Sequence, residues 1–234
     1  MKDFLTKVKE ISFFSRHAFY HAACAEFGAQ FFFVSRLLLG LLLAVLAAIL
    51  MLPVKNCFLG ALLATVCISV CRDYLLNWRD RDASFKLLEQ FLSVTKISES
   101  DSRNSQFLNS LRHWIFLLRP LLYFMVLASG GWFLVLPVTV LASAFGFELR
   151  GNASEFHRQR GWLFCVAFSL LVTLLGGLCA TSSRCLAVAL LTCALLWLLA
   201  KQIKDSPWCP ADLGTSIYLG ELLCLVAFML GLIF

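Results

Sequence analysis

The chain has 234 residues, 60% of them hydrophobic and 15% charged, with a mean hydropathy of +0.83. Those values exclude an ordinary soluble domain, and 22 Phe and 6 Trp add further apolar area. The net charge of +6 comes from basic residues scattered among the polar segments, the pattern of positive-inside topology facing anionic headgroups rather than of a nucleic-acid surface.

Residues 1–31 read as a basic amphipathic helix in the headgroup plane. Phe4, Val8 and Ile11, with Leu5 alongside, recur at helical spacing, while Lys2, Lys7, Lys9 and Glu10 fall off that stripe. No cleaved signal peptide is expected, because the first apolar run begins only near Phe31. His17 and His21 share a helix face, but no third ligand accompanies them, so they read as interfacial histidines.

Residues 32–72 form a first membrane hairpin. Its first span, 32–52, is long enough for a hydrocarbon core of about 30 Å. The chain turns at 53–56 and returns over a shorter run, 57–72. Arg36 lies one turn inside the first span, within snorkelling reach of the surface.

Residues 73–113 are the polar segment around which the chain is organised. With Arg72 at its edge it carries Arg79, Arg81, Lys86, Lys96, Arg103 and Arg112. Asp73, Asp80 and Asp82, interleaved with Arg72, Arg79 and Arg81, read as a solvated mixed-charge face. Phe85, Leu88 and Leu92, flanked by Leu87 and Phe91, make an apolar stripe opposite Lys86, Glu89, Gln90 and Ser93. The expectation is a second amphipathic helix that inserts Phe85, Leu88, Phe91 and Leu92 into one leaflet, with Lys86 among the headgroups. A polar loop over 98–105 follows.

Residues 114–234 carry the remaining membrane segments. Two apolar runs, 114–129 and 132–147, flank Gly130-Gly131 and contain Pro120 and Pro137. At about 24 Å each they are short enough either to cross or to re-enter. The loop 148–161 holds a glycosylation pattern, Asn152-Ala153-Ser154, but falls on the cytoplasmic side and is discounted. A further hairpin, 162–180 and 186–200, surrounds Ser182-Ser183-Arg184. Residues 201–215 are polar, and 216–234 form the last span. The expected fold is therefore an all-α polytopic membrane protein with about seven apolar helices, re-entrant hairpins among them, plus cytoplasmic amphipathic helices.

Orientation follows from the basic residues. With the N-terminus inside, sixteen of the 20 Lys and Arg face the cytoplasm; Lys55 and Arg184 lie opposite, and Arg36 and Arg119 lie within spans.

No motif points to a reaction: there is no Walker loop, GxSxG or HExxH, and no catalytic, cofactor-binding or metal residues are expected. The 10 cysteines lie mostly in apolar runs, without CxxC pairs or zinc spacing. A Cys179–Cys185 disulfide would require its turn to face an oxidising lumen. Two charges stand out within the spans. Arg119 and Glu221 each lie roughly 9 Å past the cytoplasmic entry of their helices. At a shared level in hydrocarbon, an intramembrane pair between them is expected.

Arg81-Asp82, followed by Phe85-Lys86-Leu87-Leu88 and Gln90-Phe91, is similar to the amphipathic helix of the peroxin-11 family of peroxisome membrane-shaping proteins. A basic helix from Leu111-Arg112 to Arg119, a later apolar pair and a glycine-containing final segment follow in that family's order, covering about residues 79–234. Asp80 stands where the family has glycine, and residues 1–72 have no counterpart. The resemblance implies a non-enzymatic role in organelle elongation and division at the peroxisomal membrane, through helix insertion and homo-oligomers. A bacterial inner membrane fits the composition too. The leading expectation is an integral membrane protein that organises or remodels its membrane, with an anionic bilayer as partner. The alternatives are a small transporter or channel, and a membrane-anchored accessory subunit that recruits a partner through residues 73–113.

Overall fold

The computed structural model describes residues 28–75, 79–95, 102–150, 161–179, 184–210 and 212–233, which form helices and no strand. The N-terminal amphipathic segment, with His17 and His21, and the loop carrying Asn152 lie outside those residues, as do the side chains of Cys179 and Cys185.

Helices α1 (Gly28–Met51) and α2 (Cys57–Leu75) make the first hairpin. Asn56 stops the turn and starts α2, its Oδ1 accepting from the Phe58 and Leu59 amides at 3.0 and 3.2 Å. The amphipathic helix is α3 (Arg79–Thr95), and α4 runs from Ser102 to Ala128. The loop expected over 98–105 is thus already helical from Ser102, and the expected boundary at residue 113 falls inside one continuous helix. Phe107, Leu111 and Ile115 keep the 3.6-residue period of the apolar run beyond them, so nothing in the pattern ends the helix at the expected boundary. Pro120 sits within it. Nearby, the Tyr218 hydroxyl donates to the Ile115 carbonyl at 3.0 Å, a side-chain bond that ties α4 to the last helix of the chain.

The link to the next helix is a Schellman stop. Gly130 has φ +81°, its amide bonds the Leu127 carbonyl at 2.8 Å, and the Gly131 amide bonds Val126 at 3.0 Å. A short 3₁₀ turn (Trp132–Leu134) leads into α5 (Val135–Arg150). Pro137 falls in the first turn of α5, where its missing amide hydrogen costs least. Then come α6 (Gly161–Cys179), α7 (Arg184–Lys204) and α8 (Leu213–Ile233).

Helix α5 is the centre of the bundle, enclosed by α8, α1, α6 and α7. Its closest partner is α8, and small residues set that distance. A Cβ on Gly146 would lie 2.5 Å from Ile217 Cγ1 and 2.9 Å from the Ile217 backbone nitrogen. One on Gly220 would lie 2.8 Å from Phe145 and 3.1 Å from the Ala142 carbonyl. Close backbone approach of this kind is how helices pack where apolar burial alone gives little drive.

Among the described residues, three helical stretches are long and apolar enough to cross a membrane: Trp132–Leu149, Ala187–Lys204 and Leu213–Leu232. Arg36–Met51, His113–Ala128 and Val166–Leu175 are shorter apolar helices. Among the described residues the expected count of about seven is not reached by length and composition. Arg36, Arg119 and the Arg72-Asp73 couple lie within α1, α4 and α2, and all four residues are buried.

Candidate functional site

Three helices bring their charges together inside the bundle. Arg72 near the end of α2 and Glu221 in α8 form a two-pronged pair, Nη1 to Oε1 and Nη2 to Oε2, both at 2.6 Å. Tyr123 of α4 closes the triangle: its hydroxyl accepts from Arg72 Nη1 at 3.3 Å and donates to Glu221 Oε1 at 2.5 Å. All three side chains are fully buried. One residue along α2, Asp73 accepts from Arg119 Nη2 at 3.2 Å, and the Arg119 guanidinium lies 5.6 Å from the centroid of the Tyr218 ring on α8. Two arginines and two carboxylates therefore neutralise one another across α2, α4 and α8.

This corrects the charge pair expected from sequence. Glu221 is held by Arg72 and Tyr123, and Arg119 pairs with Asp73 rather than with Glu221. Helices α4 and α8 do pack together, but through Tyr218. The physical reason lies in the direction of a helical side chain, which leans toward its own N-terminus. Arg72, which reads in the sequence as a surface charge at the mouth of a short span, reaches back along α2 into the bundle. Arg72-Asp73 as an opposite-charge couple at the end of an apolar run was the signal available. The interleaving of charges through Asp82 disguised it as a solvated face.

The second cluster is where α3 docks. Leu88 and Leu92 are buried against Leu111 and Ile115 of α4. They are therefore not free to enter a leaflet, because the continuous α4 offers a matching apolar stripe at the same level. Phe85 is half-buried. Lys86, exposed, reaches Asp212 Oδ2 at 2.9 Å, and Gln90 Nε2 donates to the Cys209 carbonyl at 2.5 Å. Of the expected insertion residues only Phe91 remains outward among the apolar ones, its ring 5.5 Å from that of Trp208, which is also exposed.

Asp212 does double duty as N-cap of α8, accepting from the Thr215 amide at 2.8 Å and the Thr215 hydroxyl at 3.0 Å. Burial pushes its carboxyl up. The Thr215 amide, Lys86 and the Thr215 hydroxyl together outweigh that and leave it below 3.8. Lys86 is raised above 10.5, by its hydrogen bond to Asp212 and then by that carboxylate's charge. The Asp212 contribution is present above 3.8 and lost as pH falls through its lowered value. The Lys86 contribution is present below 10.5 and lost as pH rises through its raised value. The clasp thus holds unchanged through the neutral range. Asp212→Ala removes cap and bridge together and costs about 1 kcal/mol, most of it the cap. Asp212→Asn keeps the cap and loses only an exposed pair, about 0.5 kcal/mol or less. Hydrogen exchange in the first turn of α8 distinguishes the two.

No protein-family model, no curated protein and no solved structure matches the chain.

Proposed function

We propose that the protein is a non-enzymatic, polytopic membrane protein that organises or remodels the membrane it occupies. One observation carries this reading. Large apolar side chains stand exposed along whole helix faces, Leu38, Leu42 and Ile49 on α1 and Phe58, Leu62 and Val66 on α2, around a core that is already packed. Contiguous apolar surface of that extent belongs in lipid. All seven apolar helices belong to the membrane bundle in this reading, with α2 and α4 tied to α8 by the buried charge network. The excess of basic residues supports an N-terminus, α3 and the Lys86–Asp212 clasp on the cytoplasmic side.

The buried charges support a structural cross-link rather than a transport path, since each carboxylate is already held by an arginine. With Leu88 and Leu92 covered, contact between α3 and the leaflet runs through the Phe91–Trp208 ledge, an aromatic pair suited to the headgroup boundary. Self-association and a peroxisomal membrane are what the peroxin-11 resemblance adds.

A second reading has an observation of its own. Docking α3 on α4 turns Asp82, Glu89 and Ser93 outward, a polar face that suits an accessory subunit recruiting a partner. The experiment is the location of a tagged copy and the shape of its membranes on overproduction, with a Phe91→Ser/Trp208→Ser variant beside it. Elongated or tubulated organelles that revert in the variant support remodelling. Unchanged membranes with a co-purifying protein support the accessory subunit.

A further inference from the structure

We propose that the outward face of α7 binds one acidic phospholipid, with Lys201, held over Trp197, donating to its phosphate. The proposal rests on the membrane reading above.

Helix α7 carries the least covered of the three long apolar stretches. Leu190, Ala194, Trp197, Lys201 and Lys204 recur along it at alternating spacings of four and three, so they share one face, and all five are exposed. Apolar residues hold the middle of that line and cations its end. From Leu190 to Lys201 it covers about 16 Å at the helical rise. One leaflet of a core of about 30 Å is about 15 Å deep. The line therefore matches a single lipid from acyl chain to headgroup. Ala194, small between Leu190 and Trp197, leaves room for the chain, and exposed Leu191 and Leu198 flank it.

The position of the cation sets this apart from an ordinary surface lysine. A lysine at a membrane interface usually snorkels outward to water. Lys201 instead lies back along its own helix, its ammonium 3.6 Å from the centroid of the Trp197 ring. That follows the lean of helical side chains toward the N-terminus, and the negative face of the ring holds the cation there. Tryptophan rings settle at headgroup level. The ammonium is thus kept beside the lipid phosphates, with N–H donors to spare for their oxygens.

Lys204 adds a second positive charge one turn on, and Asp205, also exposed, offsets one of the two. Among the described residues, none of the ion pairs involves these three side chains. Two lysines and one aspartate leave a net charge of +1, which suits one singly charged headgroup. The choline of a zwitterionic lipid would meet repulsion here instead. This end of α7 leads into the loop of Trp208 and Asp212, on the side that the basic excess marks as cytoplasmic, where membranes carry their anionic lipids.

The test uses the full chain. Flotation with phosphatidylcholine–phosphatidylglycerol vesicles and resistance to alkaline carbonate come first. A chain that does not float, or is stripped, overturns the membrane reading and this proposal together. The inserted protein is then extracted in mild detergent and titrated with dioleoylphosphatidylglycerol or dioleoylphosphatidylcholine, and native mass spectrometry reads the fraction that retains one lipid. Phosphatidylglycerol should be retained roughly fivefold better, the weight of one basic residue at an anionic surface, and Lys201→Gln should erase that preference. Lys86→Gln, away from the site, should leave it unchanged. Trp197→Leu separates a built site from diffuse charge attraction: it alters no charge, yet should lower the preference roughly twofold or more by releasing the ammonium. Equal retention of the two lipids, a preference that survives Lys201→Gln or falls as far in Lys86→Gln, or one untouched by Trp197→Leu overturns the proposal and leaves the membrane reading standing.

Discussion

Glu221→Gln is expected to destabilise the bundle by about 3–5 kcal/mol, because it leaves the Arg72 guanidinium buried without its counter-charge. Both carboxylate oxygens of Glu221 are in use, one shared by Arg72 and Tyr123 and the other bonded to Arg72, and the side chain is fully buried. Tyr123→Phe should cost less, about 1.5–3 kcal/mol, since it removes a hydrogen bond to a charged group but leaves the ion pair intact. Thermal unfolding of purified protein in detergent ranks the variants. Charge exchange identifies the partner: Arg72→Glu with Glu221→Arg should recover part of the loss of either single change. The corresponding exchange between Arg119 and Glu221 should recover nothing, since Arg119 answers to Asp73. Recovery in the second exchange and not the first would contradict the network described here.

Gly146→Val is the second large effect. The added Cβ meets not only the Ile217 side chain but its backbone nitrogen, and a backbone cannot step aside by changing rotamer. Separating α5 from α8 exposes the most extensive interface of the bundle, so the cost should lie at or above the usual overpacking range of about 1–3 kcal/mol. Gly130→Ala is the control. Its Cβ would meet nothing, and only the positive φ opposes it, a penalty of about 1–2 kcal/mol confined to the turn. Cross-linking between α5 and α8 should weaken in the first variant and persist in the second.

Much of the secondary structure was legible from periodicity. Spans expected at 57–72 and 162–180 correspond to α2 and α6 within a few residues, and the turn at Gly130-Gly131 fell where two glycines follow an apolar run. Boundaries failed where apolar periodicity runs on past the expected end of a span, as in α4. A one-dimensional pattern does not say whether Leu111 and Ile115 meet lipid, solvent or another helix. The same ambiguity concealed the docking of α3: Leu88 and Leu92 form an insertion stripe and a packing stripe with equal fidelity. The charge network was half visible. Arg119 and Glu221 stood out because apolar neighbours surround them, whereas Arg72 and Asp73 were hidden at the edge of a polar segment. Pairing then depended on side-chain reach and direction, which residue depth along a helix does not encode.

Spin labels placed singly along α2 in proteoliposomes test most directly that this bundle is embedded in lipid. At Leu62 and Val66, which face outward, collision with oxygen should be high and with a water-soluble nickel chelate low. At Ala64 and Ile68, which face the core, both should be low. Frequent collision with the nickel chelate at Leu62 and Val66 would mean that the apolar faces meet water or a solvated partner instead, and would contradict the account.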